Sequence, residues 1–259
     1  MPKFAANLTM LFTEVPFLDR FALAHEAGFT TVEYLFPYDY PISELKDRLT
    51  RYELKQVLFN LPSGKWSEGE RGIGAHPERV KEFRDGVDKA IEYALGLDVS
   101  QVNLLAGKRI AGFSEADHWA VLVENTRYAA EKLQQHGIRL VIEAINHFDI
   151  PGFFLSRTEQ VIRLIEEVGM PNVYAQYDIY HAQRQEGELA ATLRKYIAKI
   201  GHIQIADNPG RHQPGTGEIN YPFIFREIDA LGYQGYIGLE YVPSPDTKAS
   251  LAWISEYGY

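Results

Sequence analysis

Residues 173–207 read VYAQYDIYHAQRQEGELAATLRKYIAKIGHIQIAD, and they set the pattern for the whole chain. A β-rich run from Val173 and a second from His202 are separated by a longer stretch of helical period. Strands joined through helices pair in parallel. Working outward, further strand candidates are FAANLTM from Phe4, TVEYL from Thr31, KQVLFNL from Lys55, QVNLLAG from Gln101, RLVIEAI from Arg139 and YIGLEYV from Tyr236. Helical patterns such as PFLDRFALAHEAG, ending at Gly28, and ERVKEFRDGVDKAIEYALGL, ending at Leu97, lie between them. Gly28, Gly137, Gly169 and Gly232 suit left-handed caps after helices. Eight such units in 259 residues, about 32 residues each, fit a (β/α)8 barrel better than an open doubly wound sheet. No GxGxxG follows the first strand, which removes the main signature of a dinucleotide fold and of a nucleotide cofactor. The expectation is a single α/β barrel domain over 1–259.

Composition narrows the function. Lys and Arg number 26 against 35 Asp and Glu, a net charge of −9, with no basic run to track a row of phosphates. That argues against a nucleic-acid partner. With no cysteine, disulfides, thiolate zinc and cysteine nucleophiles are excluded, so any metal is held by O or N. No stretch approaches the roughly 20 apolar residues of a membrane span, and the opening MPKFAANLTMLFTEVP lacks the apolar core of a signal peptide. A cytoplasmic protein without a membrane partner is expected. The outer helices carry enough Tyr, Phe and Trp for a homo-oligomer, without naming an interface.

Side chains alternate along a strand. Leu140, Ile142, Ile203, Ile205, Ile237 and Leu239 form apolar faces suited to the helices, which turns Glu143, Asp178, Gln204 and Glu240 toward the barrel axis. They are 35, 26 and 36 residues apart, close to one βα unit each, so one polar side chain per strand is expected at a common height near the C-terminal ends. Three carboxylates aimed at one point repel, by about 4 kcal/mol per pair at 4 Å and an effective dielectric of 20. Shared protons would relieve this, as would salt bridges to Arg139, Arg211 or lysines. So would one divalent cation, for which the Gln204 amide oxygen completes an all-oxygen set suited to Mg²⁺ or Mn²⁺.

At these positions VIEAIN (141–146), YAQYDIYHAQ (174–183), GHIQIAD (201–207), PGTGEINYPFIF (214–225) and GYIGLEYVP (235–243) resemble the hydroxypyruvate isomerase family of xylose isomerase-like TIM barrels. FAANLTMLFTEVPFLDRF (4–21) and EYLFPYDY (33–40) extend the resemblance over nearly the whole chain. It implies a metal held at Glu143, Asp178, Gln204 and Glu240, with Glu143 and Glu240 as a proton-shuttling catalytic pair. Related sugar epimerases have His where Gln204 stands, so the Gln points to the hydroxypyruvate and 2-oxo-tetronate branch. The implied reaction interconverts hydroxypyruvate and tartronate semialdehyde through an enediolate. A 2-oxo-tetronate isomerase and a ketose 3-epimerase are the alternatives.

A small anionic sugar-acid substrate needs further positive charge. Arg211, in the DNPGRHQPG loop after the seventh strand, is expected to clamp its carboxylate. The resemblance to related epimerases, which use a His there, implies that His181, three residues past Asp178, holds a substrate oxygen. Asn7, Glu33, Asn60 and Asn103 are expected as internal hydrogen-bond partners, with Glu33 able to pair with Arg139 or Lys108. Most of His25, His76, His118, His136, His147 and His212 are expected at the surface, with His147 and His212 able to reach the pocket mouth. Phe36, Tyr38, Tyr40, Trp66 and Phe153 are expected to pack in the loops after strands two, three and five, with a lid as the alternative role.

Overall fold

The structure is a computed structural model that describes residues 2–259. Eight parallel strands close into one barrel in chain order. They are β1 (Lys3–Asn7), β2 (Thr31–Glu33), β3 (Lys55–Asn60), β4 (Gln101–Leu104), β5 (Arg139–Glu143), β6 (Val173–Asp178), β7 (Ile200–Ile205) and β8 (Tyr236–Leu239). Around them run α1 (Arg20–Glu26), α2 (Ile42–Arg51), α3 (Val80–Leu97), α4 (Glu115–Gln134) and α5 (Thr158–Val168). Next come α6 (Ile179–Gln185) and α7 (Leu189–Tyr196) after β6, α8 (Tyr221–Ala230) after β7, and short α9 (Thr247–Ser250) and α10 (Ala252–Glu256) after β8. Among the described residues no helix is long and apolar enough to cross a membrane.

Every predicted strand is present, and the ends differ for visible reasons. β1 stops at Asn7 because Met10 and Leu11 donate back to the Asn7 carbonyl, turning the chain into its loop. β7 begins at Ile200, not His202: Ile200 pairs with Ala175, and an irregularity between Ala175 and Gln176 then resets the register. The four capping glycines all adopt positive φ, as at Gly169 (69°), whose N–H donates to the Ile165 carbonyl at the end of α5.

Alternation sorts the side chains into two compartments. Leu140, Ile142, Ile203, Ile205, Ile237 and Leu239 are wholly buried between sheet and helices. Each contributes about 1.5–3 kcal/mol by leaving water. Inside the barrel a separate cluster of Ala5, Val57, Leu58 and Val141 packs with Tyr174 and Tyr236. The axis above it is polar. Gly238 leaves that axis open, since a Cβ there would sit 2.2 Å from the Glu33 carboxylate.

Candidate active site

Asp178 is the last residue of β6 and the cap of α6. Its Oδ1 accepts from the N–H groups of Tyr180 (2.8 Å) and His181 (3.3 Å), which fixes the carboxylate at a helix start. Its Oδ2 is buried and without a hydrogen-bond partner. Gln204 lies beside Asp178 in register, but Glu143 lies opposite Gln176, two residues below Asp178. Glu240 stands just past β8, two residues above the Gly238 that pairs with Gln204. The expected common height is therefore a staircase, because closing a tilted barrel staggers neighbouring strands. All four side chains are buried.

His181 Nε2 bridges the first two carboxylates, 3.8 Å from Glu143 Oε1 and 3.6 Å from Asp178 Oδ2. Its tautomer follows from Asn146. The Asn146 Oδ1 accepts from the Asp149 N–H (2.9 Å) and its Nδ2 donates to Asp149 Oδ2 (3.1 Å), which turns the amide N–H₂ toward His181 Nδ1 at 2.6 Å. Nδ1 therefore accepts, and the imidazole proton belongs on Nε2, facing the carboxylates. Burial, and then the Arg211 charge, hold the His181 pKa well below its ordinary value, so the ring is a neutral N–H donor.

Arg211 reaches the cluster from the loop after β7. That loop is organised by buried Asp207, whose Oδ2 accepts from the N–H groups of Gly215 and Gly217 (both 2.9 Å) while Oδ1 accepts from Asn208 (2.9 Å) and Ile219 (3.1 Å). Arg211 takes φ of 57°, an uncommon value for a non-glycine residue. Its Nη2 donates to Glu240 Oε2 at 2.7 Å and lies 3.7 Å from Asp178 Oδ2, and its guanidinium sits 5.1 Å from the Tyr180 ring centre. The salt bridge considered from sequence is thus present, while Arg211 Nε is buried with no partner.

Three carboxylates against one guanidinium leave excess negative charge. Burial raises the Glu143 pKa well above its ordinary value, and Glu240 and Asp178 push it further. Burial pushes Glu240 up to about 8 despite Arg211, and raises Asp178 against the same opposing charge. Glu143, Asp178 and His181 each offer one atom within 4.8 Å of the others, the spacing of a metal-binding group, in which the two carboxylates are the ligands and the protonated Nε2 makes His181 a hydrogen-bond donor. An Asp178 Oδ2 that is buried without a hydrogen bond, and the mutual repulsion of the carboxylates, fit a cation here.

A pH dependence of stability follows for chelated protein. The folded-state pKa of Glu240, about 8, exceeds its ordinary 4.5, so its contribution is full below about 4.5 and lost as pH rises through 8. Glu143 and Asp178 act with the same sign. His181 opposes only below its ordinary 6.5. Calorimetry should show the melting temperature of chelated protein falling from pH 6.5 through about 8, with added Mn²⁺ flattening the fall. A rise over that window would contradict these burial effects.

The early strands supply the hydrogen-bonded floor. Asn7 Nδ2 donates to Glu33 Oε1 (3.0 Å) and lies 3.4 Å from Glu240 Oε1, while Asn103 Nδ2 reaches Asn60 Oδ1 (3.1 Å) and Glu143 Oε2 (3.4 Å). Glu33 pairs with neither Arg139 nor Lys108. It meets His202 Nε2 at 2.7 Å, whereas Arg139 lies over the Tyr174 ring and Lys108 donates to the Gly69 carbonyl. His118 is buried, with Nδ1 at the Ala75 carbonyl (2.8 Å), not at the surface. His147 is exposed, and His212 Nδ1 lies at the Val242 carbonyl; neither joins the carboxylates. The aromatics pack as expected, Phe36 against Trp66 and Tyr38 against Phe59. Asn146 and Gln176 carry no signal in the motifs, although Gln176 lies two residues before Asp178 and strand alternation marks it as inward-facing. His202, on the same face of its strand as Gln204, is buried on the axis side as alternation predicts, with Glu33 as its partner.

The chain matches the family model described as xylose isomerase-like TIM barrel over residues 21–257. It is 53% identical over 257 residues to the hydroxypyruvate isomerase of Escherichia coli (strain K12), covering 99% of this chain and 100% of that protein. It is 46% identical to the 2-oxo-tetronate isomerase of Pectobacterium atrosepticum, over 99% of this chain and 98% of that one. Among solved structures, AP endonuclease, family 2 from Brucella melitensis superposes with a TM-score of 0.97 at 44% identity, covering 99% of each chain.

Proposed function

Because the chain belongs to the hydroxypyruvate isomerase family of xylose isomerase-like TIM barrels, we propose that it interconverts hydroxypyruvate and tartronate semialdehyde. The observation that carries this reading is the buried cluster of Glu143, Asp178 and Glu240 at the C-terminal ends of barrel strands, with carboxylate pKa values driven upward. Hydroxypyruvate loses a proton from its hydroxymethyl carbon and gains one at the former carbonyl carbon, while a second proton passes between the two oxygens. The path runs through an enediolate. Electrons are only redistributed within the substrate, so no nicotinamide is required.

Glu143 and Glu240 are the shuttle. A carboxylate whose pKa lies near neutrality is a stronger base than a solvated one and still returns the proton readily, a contribution of about 10² to 10⁴ in rate. His181 Nε2–H donates to a substrate oxygen. The unpartnered Arg211 Nε, beside an Nη2 already on Glu240, offers a donor to the substrate carboxylate. One divalent cation, Mg²⁺ or Mn²⁺, would be held by Glu143, Asp178, Gln204 and Glu240 and would supply charge stabilisation for the enediolate. The single barrel domain would act in the cytoplasm, and as a homo-oligomer it would sediment above the mass of one chain.

The full-length similarity to a 2-oxo-tetronate isomerase makes the four-carbon acid the second candidate substrate. The similar Brucella protein is called an endonuclease, but here the net charge is −9 and the cluster contains one histidine, a poor match to a nucleic-acid backbone or several zinc ions. A panel of hydroxypyruvate, 2-oxo-tetronate, fructose and tagatose, run on chelated and Mn²⁺-reconstituted protein, tests the reading. Turnover of the acids only with metal is expected. Epimerisation of the ketoses without action on the acids would replace this reading with that of a ketose 3-epimerase.

A further inference from the structure

The barrel axis holds a buried carboxylate that the proton-transfer scheme leaves unused. Glu33 is 1% exposed and lies where a side chain at Gly238 would otherwise be. Its Oε1 accepts from Gln204 Nε2 at 2.8 Å and from Asn7 Nδ2 at 3.0 Å, and its Oε2 meets His202 Nε2 at 2.7 Å. A carboxylate only accepts hydrogen bonds, so the Gln204 amide must turn its N–H₂ toward Glu33. Its Oε1 is then the atom left for the other side. Gln176 Nε2 occupies one lone pair there at 2.6 Å, and the second stays free to ligate.

We infer that Glu33 is a positioning residue, which locks the Gln204 amide with its oxygen available to the cation and, through Asn7, orients Glu240. This rests on the metal reading above. An amide free to turn over would present an N–H₂ group to a cation, which repels it. His202 occupies Glu33 Oε2 and so leaves Oε1 for Gln204 and Asn7 together. Gly238 leaves the room that keeps this carboxylate on the axis.

Mn²⁺ titration of the full chain, followed by the electron paramagnetic resonance of free Mn²⁺, tests the inference. Glu33→Gln keeps the shape but gives position 33 a donor of its own. It should weaken Mn²⁺ binding by about 10- to 100-fold, the usual cost of losing a group that orients a ligand. The double variant Glu33→Gln/Gln204→Glu reverses donor and acceptor across the same gap, guarantees an oxygen toward the cation, and should recover most of the loss. A purely structural role gives no such rescue. Wild-type affinity in Glu33→Gln would overturn the inference while the metal reading stands. Failure of the wild type to take up Mn²⁺ would end the metal reading and this inference with it. The unsubstituted protein gives a second measurement should Glu33→Gln not fold. The Gln204 side-chain N–H₂ protons should be slow to exchange and show a nuclear Overhauser effect to those of Asn7, and an amide that rotates freely would overturn the inference.

Discussion

Glu240→Gln is expected to lower kcat on hydroxypyruvate by about 10² to 10⁴, the contribution of a positioned carboxylate base. The substitution is nearly isosteric, and the amide oxygen can still accept from Arg211 Nη2, which donates to Glu240 at 2.7 Å in the native site. What disappears is the only form of the side chain that takes a proton from carbon. KM should change less than kcat, because Arg211 and His181 remain to hold the substrate. Glu143→Gln should behave alike, since both glutamates lie in the same buried cluster and the Glu240 charge helps raise the Glu143 pKa. Their double variant should lose little more than either alone, as expected of groups that act as a unit. Steady-state kinetics on Mn²⁺-loaded protein makes the comparison. Activity near wild type in either single variant would remove the shuttle.

Asp178→Asn separates the two oxygens of one carboxylate. Oδ1 caps α6 through the N–H groups of Tyr180 and His181, and asparagine caps helices about as well as aspartate, so the fold should persist. Oδ2 is buried with no hydrogen-bond partner, and an N–H₂ in its place cannot ligate a cation. Mn²⁺ affinity should fall by more than about 100-fold, beyond the range found for groups that merely orient ligands. The metal-free protein should melt no lower than wild type, because one member of a repelling buried cluster is gone. Calorimetric titration and a thermal melt measure both. Unchanged Mn²⁺ binding would contradict the assignment of Asp178 to the metal.

Periodicity was enough to place eight strands, their inward faces and the polar ring, because alternation in β-strands is a local property of the chain. The stepped arrangement of Glu143, Asp178 and Glu240 was not legible, since it arises from the stagger between strands, which no single strand encodes. Side-chain pairings across the barrel were equally hidden. Glu33 meets His202, 169 residues away, where sequence offered Arg139 and Lys108 as partners. The loop after the seventh strand marks Arg211 as a candidate, but its hold on Glu240 depends on a loop shape set by Asp207. The His181 tautomer needed Asn146, whose role follows from a turn closed by Asp149.

The decisive measurement is ¹³C and ¹H NMR of hydroxypyruvate incubated with the metal-free and the Mg²⁺-reconstituted protein in D₂O. Tartronate semialdehyde should accumulate only with the metal restored, and Glu143→Gln and Glu240→Gln should abolish it together with any uptake of solvent deuterium at carbon. Conversion that proceeds undiminished under chelator, or a metal-loaded protein that leaves both the three-carbon and the four-carbon acid untouched, would contradict a metal-assisted isomerase.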